Sequence, residues 1–139
     1  MEIALSEARK SFDEGGLPIG AVLVERGVIV AQGHNRRVQS GDPLAHGEMD
    51  CLRAAGRRKS YRDTVLFTTL SPCMMCAGTI VQFKIPRVVI GDDVNFRGNV
   101  SFLRDHGVDV VLLESPAGVE LMQRFIAEKP DLWEEDIAE

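Results

Sequence analysis

Two apolar runs with almost no polar alternation, PRVVIG at 86–91 and VDVVLL at 108–113, leave this chain few architectures. A strand with one face in water alternates apolar and polar residues, whereas a strand covered on both faces reads as a continuous run. A third run, TVLFTT at 64–69, precedes them. Between the third run and the first lies a helical stretch, CMMCAGTIVQF at 73–83, set off by the Ser71-Pro72 break. A shorter helix near 99–106 separates the remaining pair. Strand, helix, strand in succession predicts parallel neighbours in one sheet.

Upstream, IGAVLVE (19–25) and VIVAQ (28–32) are β-rich runs joined by Arg26-Gly27, the signature of a hairpin. Met1, Leu5, Ala8 and Phe12 share one helical face over 1–14, and Gly15-Gly16 stops that helix. Residues 34–44, with Gly41 and Pro43, read as a loop. Residues 45–56 and 117–129 read as helices, the latter with Leu121, Met122 and Phe125 facing inward. A final short helix over 131–138 is expected beyond Pro130. The expectation is an α/β chain: a three-layer α/β/α sandwich on a mixed five-stranded sheet, one domain over 1–139.

Composition excludes several classes. With 45% hydrophobic and 27% charged residues the chain is neither disordered nor fibrous. No apolar run approaches the roughly 20 residues of a membrane span. Sixteen Lys and Arg against twenty-one Asp and Glu give a net charge of −5. Arg57, Arg58, Lys59 and Arg62 form the local basic cluster, which reads as a solvated turn and not as the basic stripe of a nucleic-acid binder. No membrane or nucleic-acid partner is expected; a small-molecule substrate is. The acidic, amphipathic start MEIALSEARK resembles neither a signal nor a transit peptide, so a cytoplasmic location is expected.

Three cysteines, Cys51, Cys73 and Cys76, with two of them in Cys-x-x-Cys, argue against a disulfide framework. Cys73 and Cys76 fall i, i+3 at the start of a helix, where both sulfurs share a face and unpaired N–H groups favour thiolates. His46 lies 27 residues earlier, far enough to cross a helix and a strand and return to the same sheet end. Two thiolates and one imidazole suit zinc and leave its fourth tetrahedral position open, the mark of a catalytic site. Glu48 is two residues from His46 and free to act as a proton carrier, provided His46 stands where the chain turns into its helix. A redox dithiol and a structural zinc site remain the alternatives at this point. Cys51 reads as a core residue, His106 as a helix-end residue and His34 as a loop residue.

His-x-Glu followed by Pro-Cys-x-x-Cys is similar to the signature of the zinc-dependent cytidine/deoxycytidylate deaminases. The fungal-type cytosine deaminases resemble the chain most widely, through EGGLPIGAVL, GHN at 33–35, HGE at 46–48, TTLSPCMMC at 68–76, IPRVVIGDDVNF at 85–96 and FIAEKPDLWEEDI at 125–137. The resemblance implies a cytidine deaminase-like fold and one zinc ion (Zn2+) per chain, held by His46, Cys73 and Cys76, with Glu48 as the catalytic proton shuttle. It implies a homodimer, and substrate contacts from Asn35, Asp136, the Gly47 N–H and the Ser71 carbonyl. Phe96 and Trp133 would cover and gate the pocket, and Ile19 would line it.

Chemistry supports those roles: Asn35 offers both donor and acceptor to a lactam edge, Asp136 accepts from an amine, and Trp133 suits a lid. One departure is Val38, where the resembling enzymes place an aromatic; if that side chain reaches the pocket, the cavity is wider here. The activity implied is hydrolytic deamination of a free nucleobase, cytosine to uracil and ammonia. The alternatives are another amino-azine or purine base (isocytosine, ammeline, guanine) and a tRNA adenosine deaminase, the last disfavoured by the acidic residues at 134–139.

Overall fold

The computed structural model describes residues 1–139. Five strands form one sheet in the order β2-β1-β3-β4-β5. β1 (Gly20–Glu25) runs antiparallel to β2 (Val28–His34) and to β3 (Thr64–Leu70). β3, β4 (Arg87–Asp92) and β5 (Asp109–Leu112) are parallel. Arg26 and Gly27 both take positive φ, 49° and 80°. That is the two-residue turn whose twist matches the strands it joins.

Helices cover both faces, as the unbroken apolar runs require. On one face α3 (Gly47–Ala55), α4 (Met74–Phe83) and α5 (Val100–Asp105) bury Cys51, Leu52, Ala77, Ile80 and Leu103 against Leu23, Leu66, Val88 and Ile90. On the other lie α1 (Glu2–Asp13), α6 (Pro116–Glu128) and α7 (Pro130–Asp136). There Met122, Phe125 and Trp133 enclose a second cluster with Leu17, Ile19 and Leu70. Fully burying a side chain such as Phe125 contributes about 1.5–3 kcal/mol. The three-layer α/β/α sandwich on a mixed five-stranded sheet is the observed fold.

Two local expectations are corrected. β2 continues through His34, so His34 is a strand residue and not a loop residue. Inside the stretch read as loop, Arg37–Ser40 forms a single helical turn, α2. Just ahead of that turn Asn35 Oδ1 accepts the Arg37 N–H at 2.9 Å. Four residues are too few for hydrophobic periodicity to reveal.

Candidate functional site

The parallel strands end on the side where α3 and α4 begin, the usual place for a ligand in an open α/β sheet. His46 is the N-cap of α3 (φ −68°, ψ 162°) and Cys73 the N-cap of α4 (φ −67°, ψ 174°). Both are extended, and neither side chain caps its helix. Positions that ordinarily hold Ser, Thr or Asp for capping are given instead to an imidazole and a thiol. Pro72 delivers Cys73 directly from the end of β3, and Cys76 follows one turn into α4.

Gly47 lets α3 start close beneath β1. A Cβ there would stand 2.9 Å from the Ile19 carbonyl oxygen. That approach brings His46 and Glu48 to the same hollow although they are only two residues apart. Gly98 (φ +58°) does the same for the loop after β4: its absent Cβ would meet Ser71 Cβ and the Pro72 carbonyl, each at 2.7 Å.

The ligand atoms of His46, Cys73 and Cys76 all lie within 4.8 Å of one another. His46 Nδ1 is 3.5 Å from Cys73 Sγ. Ligands on a tetrahedral zinc at about 2.0–2.3 Å stand about 3.3–3.8 Å apart, so this donor set fits that ion without large movement. The other imidazole nitrogen, Nε2, faces Asp136 Oδ1 at 3.4 Å, the carboxylate–histidine pairing that orients a metal-bound ring.

The electrostatics are those of a crowded, dry cluster. The hydrogen bond with Cys76 outweighs burial and, with that of His46, brings the Cys73 thiol down to about 4. Cys76 is pushed well up, first by that same hydrogen bond and then by burial. Burial pulls the His46 imidazolium down, yet Cys73, Asp136 and Glu48 outweigh it and hold the group up to about 9. Burial, reinforced by the Cys73 charge, raises the Glu48 carboxyl above its ordinary range. Burial likewise raises Asp136, against the pull of His46 and Asn35. A divalent cation relieves such a cluster by displacing protons from the sulfurs and the ring.

Ile19, His46, Glu48, Ser71, Cys73, Phe96 and Asp136 border one cavity of about 10 Å³, room for about one water. Leu70 and Ile137 complete its wall; the sequence reading did not single them out. Each sits beside a residue that it did name, Leu70 at the strand end before Ser71 and Ile137 after Asp136, and adjacency was the available signal. Asn35 is fully buried and reaches the cavity through Asp136, donating from Nδ2 to Oδ1 at 3.3 Å. Cys76 is buried beside Cys73, and Gly47 lies between His46 and Glu48. Trp133 stands behind Phe96, with ring centroids 6.0 Å apart and planes at 86°.

Phe96 is aimed by Asp92, whose carboxylate accepts the Val94 and Asn95 N–H groups and the Asn95 side-chain amide at 2.7–3.1 Å. Val38 is corrected: it is exposed and borders a surface hollow with Leu132 and Glu135 of α7, away from the cavity. It does not widen the pocket. Cys51 is buried, and burial pushes its thiol up to about 12, so it is inert core. His106 caps the end of α5, its Nδ1 2.8 Å from the Phe102 carbonyl.

The family model described as the cytidine and deoxycytidylate deaminase zinc-binding region matches residues 1–92. Cytosine deaminase of Candida albicans is 46% identical over 142 residues, covering 100% of this chain and 95% of that protein. A tRNA-specific adenosine deaminase of Streptococcus pyogenes serotype M1 is 40% identical over 106 residues, covering 74% of this chain and 62% of that protein. Among solved structures, guanine deaminase from Nitrosomonas europaea superposes with a TM-score of 0.78 at 25% identity, covering 91% of this chain and 82% of that one.

Proposed function

The chain belongs to the zinc-binding family of cytidine and deoxycytidylate deaminases, zinc hydrolases of C–N bonds, and from that membership we propose that it converts free cytosine to uracil and ammonia. The observation that carries this reading is one small cavity in which Asp136, tied to Asn35, faces the His46–Cys73 pair beside the buried Glu48. Likeness to the Candida cytosine deaminase along the whole chain supports it.

Zinc is the cofactor, and His46, Cys73 and Cys76 are the residues that would hold it. When bound, it lowers the pKa of a water from about 15.7 toward 7 and so supplies a hydroxide at neutral pH. Glu48 handles the protons. It takes one from the water and gives it to ring N3, which makes C4 electrophilic. The hydroxide oxygen bonds to C4; Glu48 then takes the second proton, from the hydroxyl now on C4, and delivers it to the exocyclic nitrogen, which leaves as ammonia while the oxygen stays on C4 as the carbonyl. Asp136 accepts from the amine of the base, while Asn35 and the Gly47 N–H grip its lactam edge. The Ser71 carbonyl receives the departing amine. Ile19 and Phe96 sandwich the ring, and Trp133 backs Phe96. A cavity of about 10 Å³ is too small for any base, so α7 and Phe96 part to admit it, a closure that also excludes water.

The whole of 1–139 works as one deaminase domain in this reading. The chain acts as a homodimer in the cytoplasm, in pyrimidine salvage. Leu44, Met74 and Phe83 are apolar and exposed around α3 and α4, the surface a second copy would cover; sedimentation of the zinc-loaded protein tests that state. Exposed Asp131, Glu134 and Glu135 on α7 repel a nucleic-acid backbone at the mouth of the site.

The deciding experiment is ammonia release from cytosine, isocytosine, ammeline, guanine and cytidine, with and without a zinc chelator. Cytosine is expected to give the highest kcat/KM, and the chelator to abolish turnover. A preference for guanine would replace the pyrimidine reading by a purine one. Glu48→Gln is expected to lose about 10²–10⁴ in kcat while keeping its zinc; a near-normal rate would overturn the mechanism.

A further inference from the structure

His34 is a buried ionisable group for which the deamination chemistry above has no use, and both of its ring nitrogens are occupied. Its side chain is 4% exposed. Nδ1 stands 2.6 Å from Glu7 Oε2 and Nε2 stands 2.7 Å from Glu14 Oε1. A neutral imidazole has one N–H, and its second nitrogen would turn a lone pair on a carboxylate. Two carboxylate contacts at these lengths need both protons.

We propose that His34 is a positioning residue for deamination: clasped as an imidazolium between Glu7 and Glu14, it fastens α1 to the end of β2 and so fixes Asn35 at the cavity. The proposal rests on the reading of Asn35 as a base-binding residue.

The surroundings balance such a cation. From α1 and its C-cap come Glu7, Lys10 and Glu14, with Lys10 Nζ 2.9 Å from Glu7 Oε1. Gln32 of β2 donates to the same oxygen at 2.7 Å. Asp50 of α3 accepts the His34 main-chain N–H at 3.0 Å and pairs with Arg36 at 3.0 Å. Gln39 of α2 donates to Glu14 at 3.2 Å. Three carboxylates thus face three cations, Lys10, Arg36 and the His34 ring.

The next residue is held by the same helix. The Asn35 carbonyl accepts from Ser11 Oγ of α1 at 2.8 Å and from Gln39 Nε2 at 3.0 Å. Its N–H donates to the Ile19 carbonyl at 2.8 Å, and its Oδ1 accepts the Arg37 N–H at 2.9 Å. Only Nδ2 is left to face Asp136. Without the His34 contact, Glu14, about half-exposed, is the partner free to swing away. Gln39 then loses one of its acceptors, and the grip on Asn35 slackens.

The test uses the zinc-loaded, ¹⁵N-labelled protein. Both His34 ring nitrogens are expected to carry protons. Glu14→Gln and His34→Gln should each shift the Asn35 side-chain amide resonances and raise KM for cytosine about five- to tenfold, with kcat within about twofold. A singly protonated ring, an Asn35 amide that ignores both substitutions, or a loss carried by kcat with KM unchanged would each overturn the proposal. Failure of the wild type to deaminate cytosine would instead remove the proposed function, while the ring nitrogens still report on the clasp.

Discussion

His46 and His34 are the same side chain at nearly the same burial, 8% and 3% exposed, on neighbouring parts of one sheet edge. They differ in what meets their nitrogens. His46 offers one nitrogen to a thiol and the other to a carboxylate. His34 meets a carboxylate on each side. The first set of partners improves when a soft cation replaces protons; the second is complete with protons alone. Burial and a carboxylate neighbour therefore do not distinguish a metal ligand from a structural histidine. The softness and number of the partner atoms do.

Substitutions at the two positions can break this contrast. His46→Ala should give the largest effect, loss of zinc and of deaminase activity to background, read by metal analysis and ammonia release. His34→Ala should retain zinc near one per chain; loss of metal from it would void the distinction. Next in size, Glu7→Ala strips a buried cation of its main partner and should destabilise the fold by about 3–5 kcal/mol in urea unfolding.

Acid unfolding sharpens the comparison further. Burial opposes ionisation of Glu7, but hydrogen bonds from His34, Lys10 and Gln32 prevail and bring its carboxyl down from 4.5 to about 2. A folded-state value below the unfolded one means that its contribution is fully present above about pH 4.5 and is lost as the pH falls toward 2. Glu7→Gln should flatten that part of the acid-unfolding curve. Glu14→Ala should be the mildest, below about 1 kcal/mol, because its carboxylate is about half in water. An acid-stability profile unchanged by Glu7→Gln would show that the clasp adds nothing to folding.

The five strands, the hairpin and the helices that cover them were readable because continuous apolar runs and three-to-four spacing report burial directly. So was the convergence of His46, Glu48, Cys73 and Cys76, since a sheet returns alternate segments to one edge. What escaped depends on partners distant in the chain. His34 carries no local pattern, and its role appears only when Glu7 and Glu14 arrive from another element. Their spacing of seven, two helical turns on one face, was the available hint. Leu70 and Ile137 are ordinary apolar residues that become cavity wall through position alone. Val38 misled because a gap in resemblance marks a difference in sequence without saying which surface it falls on. Here it falls outside the cavity, against α7, and Val38→Phe should leave the order of preferred bases unchanged.

The hydrogen bond that joins Asn35 to Asp136 spans 101 positions of the chain, against 27 for His34 and Glu7. Closing a longer loop demands more entropy and follows shorter closures in time. Refolding should thus knit the amino-terminal helix to its hairpin early and seal the reaction chamber late. A half-folded molecule would then hold Asn35 already set in place, with the chamber still open to solvent.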